Sequence, residues 1–288
     1  MLIDTHAHLN FNAFKNDAEG VIKRTLENDI WVINIGTKYE TSKRAVEIAQ
    51  RYPQGIFAAI GLHPIHLETG LVKIKNDLEE IEVKTREEQF DYQKYKELAR
   101  NEKVVAIGEI GLDYYYKPKT KRKLEIFKEK QKTILCQQLD LAKDLNLPVI
   151  FHCRMAHDDL IEVLKLKMKN EKLKINGVIH CFTGNWGQAE EFLNMGFYLG
   201  FNGIIFKLNL DEIIKKTPLD RILTETDCPY LMPPIGENQR IDQRKSAAVR
   251  NEPLFVKYVA EKIAKIKKIS YEEIAEITTN NAKKLFSF

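Results

Sequence analysis

The sequence predicts an α/β fold, a closed (β/α)8 TIM barrel, from three observations. Eight short apolar runs, near 2–6, 31–36, 56–62, 104–110, 148–153, 177–182, 197–204 and 221–227, alternate with amphipathic patterns of helical period along the 288 residues. The runs are almost continuously apolar, as strands are in a parallel sheet covered by helices. The first, fourth, fifth, sixth and eighth end in an imidazole or a carboxylate: His6, Glu109, His152, His180 and Asp227. Only a closed ring sets the eighth strand beside the first, whereas an open doubly wound sheet would keep Asp227 and His6 apart.

In chain order, L-I-D-T-H-A-H carries strand 1 and two histidines, and Val21-Ile22 with Leu26 marks the helix that follows. Strand 2 leads to a helix through Ala45-Val46 and Ile48-Ala49, and strand 3 to I-G-L-H-P at 60–64. Residues 69–101 are rich in Glu and Lys and read as one or two surface helices outside the barrel pattern. Strand 4, V-V-A-I-G-E, precedes the amphipathic segment from Leu124 through Phe127, Ile134, Leu135 and Leu139 to Leu141. P-V-I-F-H and G-V-I-H are strands 5 and 6, and strand 8 is stopped by Pro229. The polar loop from about 232 to 250 falls on the ligand face, where barrel loops select substrates. The tail from Glu252 to about Leu285 reads as helix that closes the ring. No repeat or linker marks a boundary, so 1–288 reads as one domain.

Composition narrows the function classes. With 44% hydrophobic and 30% charged residues the chain is globular in type, and it has no run of about 18 apolar residues to span a bilayer. Met1-Leu2-Ile3-Asp4 is strand-like where a signal peptide would be basic and then apolar, so a cytoplasmic location and no membrane partner are expected. A net charge of +4 permits a nucleic-acid partner without requiring one. The stretch Lys117-Pro118-Lys119-Thr120-Lys121-Arg122-Lys123 reads first as a solvated loop and helix start, next to a candidate ligand strand. Cys136, Cys153, Cys181 and Cys228 sit singly, the last three each directly after a candidate ligand. On a strand the next residue faces the other way, so these thiols are expected as small filler behind the wall, with thiolate ligation the lesser alternative.

Polar atoms on His6, His8, Glu109, His152, His180 and Asp227 would cost several kcal/mol each if buried unpaired. A shared cation satisfies them all. His6-Ala7-His8 places two imidazoles on one side of a strand end, and Gly108 and Gly111 let the backbone bend around Glu109. Four histidines with carboxylates suit Zn, Mn, Fe or Ni better than an all-oxygen Mg shell, although mixed sites accept several metals. Six ligands exceed the three that one catalytic zinc needs, so two divalent cations are implied. Glu109 is the expected bridge, with His6, His8 and Asp227 on one ion and His152 and His180 on the other. A metal pair about 3.5–4 Å apart activates a water and clamps an in-line displacement, which points to hydrolysis. Asp227 would orient that water and accept its proton, so the expected catalytic residues are Asp227 and Glu109.

Taken together, D-T-H-A-H-L at 4–9, I-G-L-H-P at 60–64, I-G-E-I-G-L-D at 107–113, H-C-R at 152–154, H-C-F-T-G at 180–184, T-E-T-D-C-P-Y-L at 224–231 and N-E-P at 251–253 closely resemble the TatD family of metal-dependent deoxyribonucleases. The match spans nearly the whole chain. The resemblance implies a barrel of the metal-dependent hydrolase (amidohydrolase) type with two divalent ions, the same six ligands and Glu109 bridging. It also implies a monomer that hydrolyses DNA phosphodiester bonds, often as a 3′-to-5′ exonuclease, with single-stranded DNA as partner. It adds His63 as a phosphate contact, with Arg154 and Glu225 lining the pocket. About twenty residues separate P-Y-L from N-E-P, more than the family's short basic segment, and they include Arg240, Arg244 and Arg250 as candidate substrate contacts. Two alternatives use the same chemistry: an amidohydrolase acting on a small amide or ester, and an aminoacyl-tRNA deacylase. Many amidohydrolases bridge their metals with a carboxylated lysine where this chain has Glu109. A non-catalytic binding protein has no need of the intact ligand set.

Overall fold

Eight parallel strands, β1 (Leu2–Ala7), β2 (Ile30–Ile35), β3 (Ile56–Ile60), β4 (Val104–Asp113), β5 (Val149–Arg154), β6 (Gly177–Ile179), β7 (Tyr198–Phe201) and β8 (Ile222–Thr224), follow one another in chain order around a nearly closed barrel. The computed structural model describes residues 1–67, 88–171, 174–234 and 250–288. Helices α1 (Ala18–Glu27), α2 (Tyr39–Gln50), α4 (Lys121–Leu145), α5 (His157–Glu171), α6 (Trp186–Asn194) and α7 (Asp211–Lys216) return the chain between strands. The short α3 (Tyr92–Leu98), capped by Asp91 accepting from the Lys94 amide, lies in the described part, 88–101, of the 69–101 excursion. Among the described residues no helix is long and apolar enough to cross a membrane.

Alternation along each strand divides the core in two. Leu2, Val32, Ala58, Val149, Phe151, Leu199 and Ile222 pack outward against the helices. Ile3, Ile33, Val105, Ile150, Val178 and Leu223 take the other face and fill the barrel. At the end where the strands begin, Trp31 and Phe57 meet Phe288, whose ring stacks on Phe57 at 4.0 Å between centroids. That end is filled with apolar rings, so polar side chains gather at the other.

The seam between β8 and β1 is joined largely by side chains. Ala7 and Cys228 form one isolated bridge, with His8 N donating to Cys228 O at 2.9 Å and Asp227 N to His6 O at 2.8 Å. Below it, Thr226 donates through its amide and hydroxyl to the two oxygens of Asp4, and Thr5 donates to Thr224 O. Burial pushes the Asp4 carboxyl up to about 8, against the hydrogen bonds from Thr226.

Several predicted boundaries differ. β4 runs to Asp113 because Gly111, Leu112 and Asp113 continue pairing with His152, Cys153 and Arg154, after a register shift between Ile107 and Ile110 that leaves Glu109 in a bulge. β6 and β8 end sooner than predicted, since Cys181 (φ 47°) and Asp227 (φ 56°) turn the chain into the left-handed region. The tail is two helices, α8 (Val256–Lys267) and α9 (Tyr271–Phe286). Lys268 turns left-handed after α8, and the Ser270 hydroxyl accepts from the Glu273 amide to start α9.

Gly111 lets β4 and β5 approach. Its φ is +151°, and a Cβ there would stand 1.9 Å from the His152 carbonyl oxygen. Gly111→Ala is therefore expected to destabilise the fold by on the order of 3 kcal/mol, because strand backbone and not a pliable side chain would have to move. A denaturation midpoint equal to that of the parent would contradict this.

Candidate metal centre

Glu109, in the bulge of β4, is the hub of the polar cluster at the strands' C-terminal ends. Its Oε2 lies 3.5 Å from His6 Nε2 and 3.9 Å from His8 Nε2, both delivered by the end of β1. Its Oε1 lies 2.7 Å from His152 Nδ1 on β5, 3.3 Å from His180 Nε2 just past β6, and 3.4 Å from His63 Nε2 just past β3. Asp227, just beyond β8, brings Oδ1 to 3.5 Å from His8 Nε2 and 3.8 Å from His6 Nε2. All six residues expected as metal ligands thus converge, and His63, expected as a phosphate contact, lies beside them. Three groups hold their donor atoms within 4.8 Å of one another: His6, Glu109 and His180; His6, His8 and Asp227; His63, Asp113 and His152. His6 and His180 are stacked, with ring centroids 3.7 Å apart, so His180 lies closer to His6 than its expected pairing with His152 implied.

Hydrogen bonds on the far side of each ring decide what it offers. In its neutral form His8 donates from Nδ1 to Ile35 O at 3.0 Å, leaving a bare Nε2 toward Asp227 and Glu109. His180 likewise gives its Nδ1 proton to Glu225 Oε1 at 3.0 Å and turns a bare Nε2 toward Glu109. Lone pairs facing carboxylate oxygens at these distances repel unless a proton or a cation lies between them. The donor set therefore fits a divalent cation. His63 is the opposite case: its Nδ1 accepts from the Ile65 amide at 3.0 Å, so its neutral ring carries the proton on Nε2. That is a donor for an anionic oxygen and not a lone pair for a metal.

Two carboxylates stand behind the histidines. Glu225, expected in the pocket, is instead fully buried, where its Oε1 also accepts from the Cys181 amide at 2.8 Å and from Asn202 at 3.0 Å. Asp113 Oδ2 lies 3.1 Å from His152 Nε2 and is itself held by Arg154 Nε at 2.9 Å and Nη2 at 2.7 Å. Such carboxylate–histidine pairs orient metal ligands. Asp113 was missed in the sequence, although the two-residue period places 109, 111 and 113 on one face of a strand.

Burial opposes every charge here, yet the cluster's own charges prevail for the carboxylates. Burial pushes Glu109 up, but His63, His180 and His6 hold it well below the usual carboxylate range. Asp227 is likewise lowered against burial by the hydrogen bond with His8 and by the other imidazoles, and Asp113 by His152 and Arg154. Burial is outweighed at His180 by Glu225 and Glu109, which raise it well above its ordinary value. At His63 burial and the neighbouring His152 win, and its pKa falls to about 4, keeping it a neutral N–H donor. Ionised carboxylates in a buried pocket are electrostatically suited to positive charge.

Of the other expected residues, Arg154 is at the rim, 39% exposed. Arg250 is committed elsewhere: its Nη2 lies 2.7 Å from both oxygens of Asp17 and its guanidinium lies over the Phe14 ring at 4.2 Å. Arg240, Arg244 and most of the loop from 232 to 250 lie outside the described residues. Cys153 and Cys228 are buried filler as expected, Cys181 is half-buried, and none of the three donor groups among the described residues includes a thiol.

Residues 3–287 match a family model described as TatD related DNase. An uncharacterised metal-dependent hydrolase of Bacillus subtilis, YabD, is 40% identical over 99% of both chains. A protein of Pantoea vagans named 3′-5′ ssDNA/RNA exonuclease TatD is 32% identical, again over 99% of both. Among solved structures, the TatD homologue YjjV of Escherichia coli superimposes with a TM-score of 0.76 at 30% identity, over 100% of this chain and 98% of the other.

Proposed function

The chain belongs to the TatD related DNase family of metal-dependent hydrolases, and from that premise we propose that it cleaves the phosphodiester bonds of single-stranded nucleic acid from the 3′ end. The observation that carries this reading is the position of Glu109, one oxygen facing His6 and His8 and the other facing His152 and His180. A carboxylate set between two donor groups is the arrangement a bridge between two ions requires. His6, His8 and Asp227 would hold one divalent ion, His152 and His180 the second, and Glu109 both. Bound there, the ions would supply Lewis acidity, lowering the pKa of a water and polarising the phosphodiester.

The chain's own groups do the remaining work. Asp227, held as a carboxylate, accepts the proton of the attacking water at an Oδ. His63 presents Nε2–H to a non-bridging phosphate oxygen, the role its tautomer favours. Glu225 and Asp113 fix the rings of His180 and His152, so neither ring has to reorient as charge develops on the phosphate. The phosphodiester itself is supported by the Pantoea vagans relative, whose name specifies single-stranded DNA and RNA and the 3′-to-5′ direction.

The test is to incubate 5′-labelled single-stranded DNA and RNA with protein loaded separately with Zn, Mn, Mg, Fe or Ni, with and without chelator, beside a panel of small amides and esters. Stepwise shortening from the 3′ end that chelator abolishes is expected. Clear amide or ester turnover with no nucleic-acid cleavage under any metal would overturn the reading.

A further inference from the structure

We propose that Tyr115 and Tyr116 form a stacking platform for unpaired bases of the nucleic acid whose phosphate enters the metal centre. The inference rests on the phosphodiesterase reading and specifies how the strand is gripped. Directly after β4 the chain buries Tyr114 and then turns two phenol rings outward, Tyr115 55% and Tyr116 41% exposed. Two adjacent phenol rings left in water beside the polar cluster offer the amphipathic surface that tyrosine contributes to interfaces.

The two rings are fixed to the site and not loosely attached. The Tyr115 amide donates to Asp113 Oδ1 at 2.8 Å, and the other oxygen of Asp113 meets His152 at 3.1 Å. Arg154, which grips the same Asp113 oxygen, lays its guanidinium 4.4 Å from the Tyr115 ring centroid and 5.5 Å from that of Tyr116. The rings stand edge to face, 4.8 Å apart at 88°. A base stacked on either ring would therefore sit a short, rigid relay away from a candidate metal ligand, with one arginine holding the rings and the carboxylate together.

Charge on the same loop and on the first turn of α4 fits the partner. Lys117, Lys119, Lys121, Arg122 and Lys123 are exposed, and none has an ion-pair partner among the described residues. Aromatic planes followed by unpaired cations suit single-strand binding, the cations tracking phosphates and the rings accepting any base. Stacking makes no demand on sequence, which suits an enzyme that shortens a strand one nucleotide at a time. The platform also discriminates among the hydrolases this fold supports, because a small amide has no use for it.

Fluorescence anisotropy of metal-loaded protein tests this with labelled oligothymidylate carrying phosphorothioate linkages to slow cleavage. A second oligomer, abasic at its three 3′-terminal nucleotides, keeps the phosphates and removes the bases. Tyr115→Ala with Tyr116→Ala is expected to weaken binding of the first oligomer by about tenfold to a hundredfold while shifting the second little. Tyr115→Phe with Tyr116→Phe should restore it, since the plane and not the hydroxyl is used. An equal loss for both oligomers would mean that the rings only support Arg154, and no loss for either would overturn the platform. If wild-type protein cleaves unmodified DNA while the alanine pair binds both oligomers as tightly as wild type, stacking alone is wrong. If wild-type protein neither binds nor cleaves, the nuclease reading fails and the platform with it.

Discussion

Glu109→Gln is expected to leave a folded protein that holds less than its full metal complement and turns over at least about 10³-fold more slowly. The substitution keeps shape and hydrogen-bonding capacity but removes the one charge that faces His6 and His8 with one oxygen and His152 and His180 with the other. Five imidazoles then share a buried pocket with a neutral amide, so the electrostatic support for the proposed pair of cations is lost. Metal analysis after dialysis gives the occupancy. Thermal melts with and without metal give an independent reading, because a ligand that binds only the folded state at a hundred times its Kd stabilises it by about 2.7 kcal/mol. Parental metal content together with parental turnover in this variant would remove Glu109 from the hub of the site.

Asp227→Asn should separate chemistry from folding. Asp227 sits at φ 56°, in the left-handed region that asparagine tolerates better than most residues, and its backbone bonds, amide to His6 O and carbonyl from Tyr230 N, do not involve the side chain. The fold is therefore expected to survive, with a thermal midpoint close to the parent's. The variant loses the proposed proton acceptor and the carboxylate charge that faces His8 and His6. Turnover should fall by about 10²–10⁴-fold, the usual contribution of a positioned general base. Near-parental turnover would exclude Asp227 as that base, and collapse of the fold would show that its carboxylate is needed by the β1–β8 seam.

Much of the site was legible because its signals are local. An apolar run ending in a polar residue can be read within six or seven positions, and five such endings are enough to order the candidate ligands by strand. The missed pieces depend on distant partners or on backbone detail. Asp113 gives no such signal, because the apolar run of strand 4 ends at residue 110, whereas pairing with β5 carries the strand to 113. Glu225 was expected to line the pocket, yet three donors, His180, Cys181 and Asn202, draw it behind the histidine. Arg250 looked available for phosphate from its place in a basic loop, but Asp17, 233 residues away in sequence, holds it. The single helix expected for the tail divides at Lys268, though S-Y-E-E from Ser270 already carries the cap that starts the second helix.

The sequence by itself determined the barrel class, the order of its strands and the identity of the six converging side chains, because apolar period and the residues that interrupt it are properties of neighbouring positions. Only the tertiary structure decided which nitrogen each imidazole presents. The Ile35 carbonyl, 27 residues from His8, and the Glu225 carboxylate, 45 residues from His180, take the Nδ1 protons and leave Nε2 free to ligate. The Ile65 amide does the reverse for His63 and makes it a donor. A tautomer is set by whatever lies within hydrogen-bond distance on the far side of the ring, and that neighbour exists only once the strands have closed.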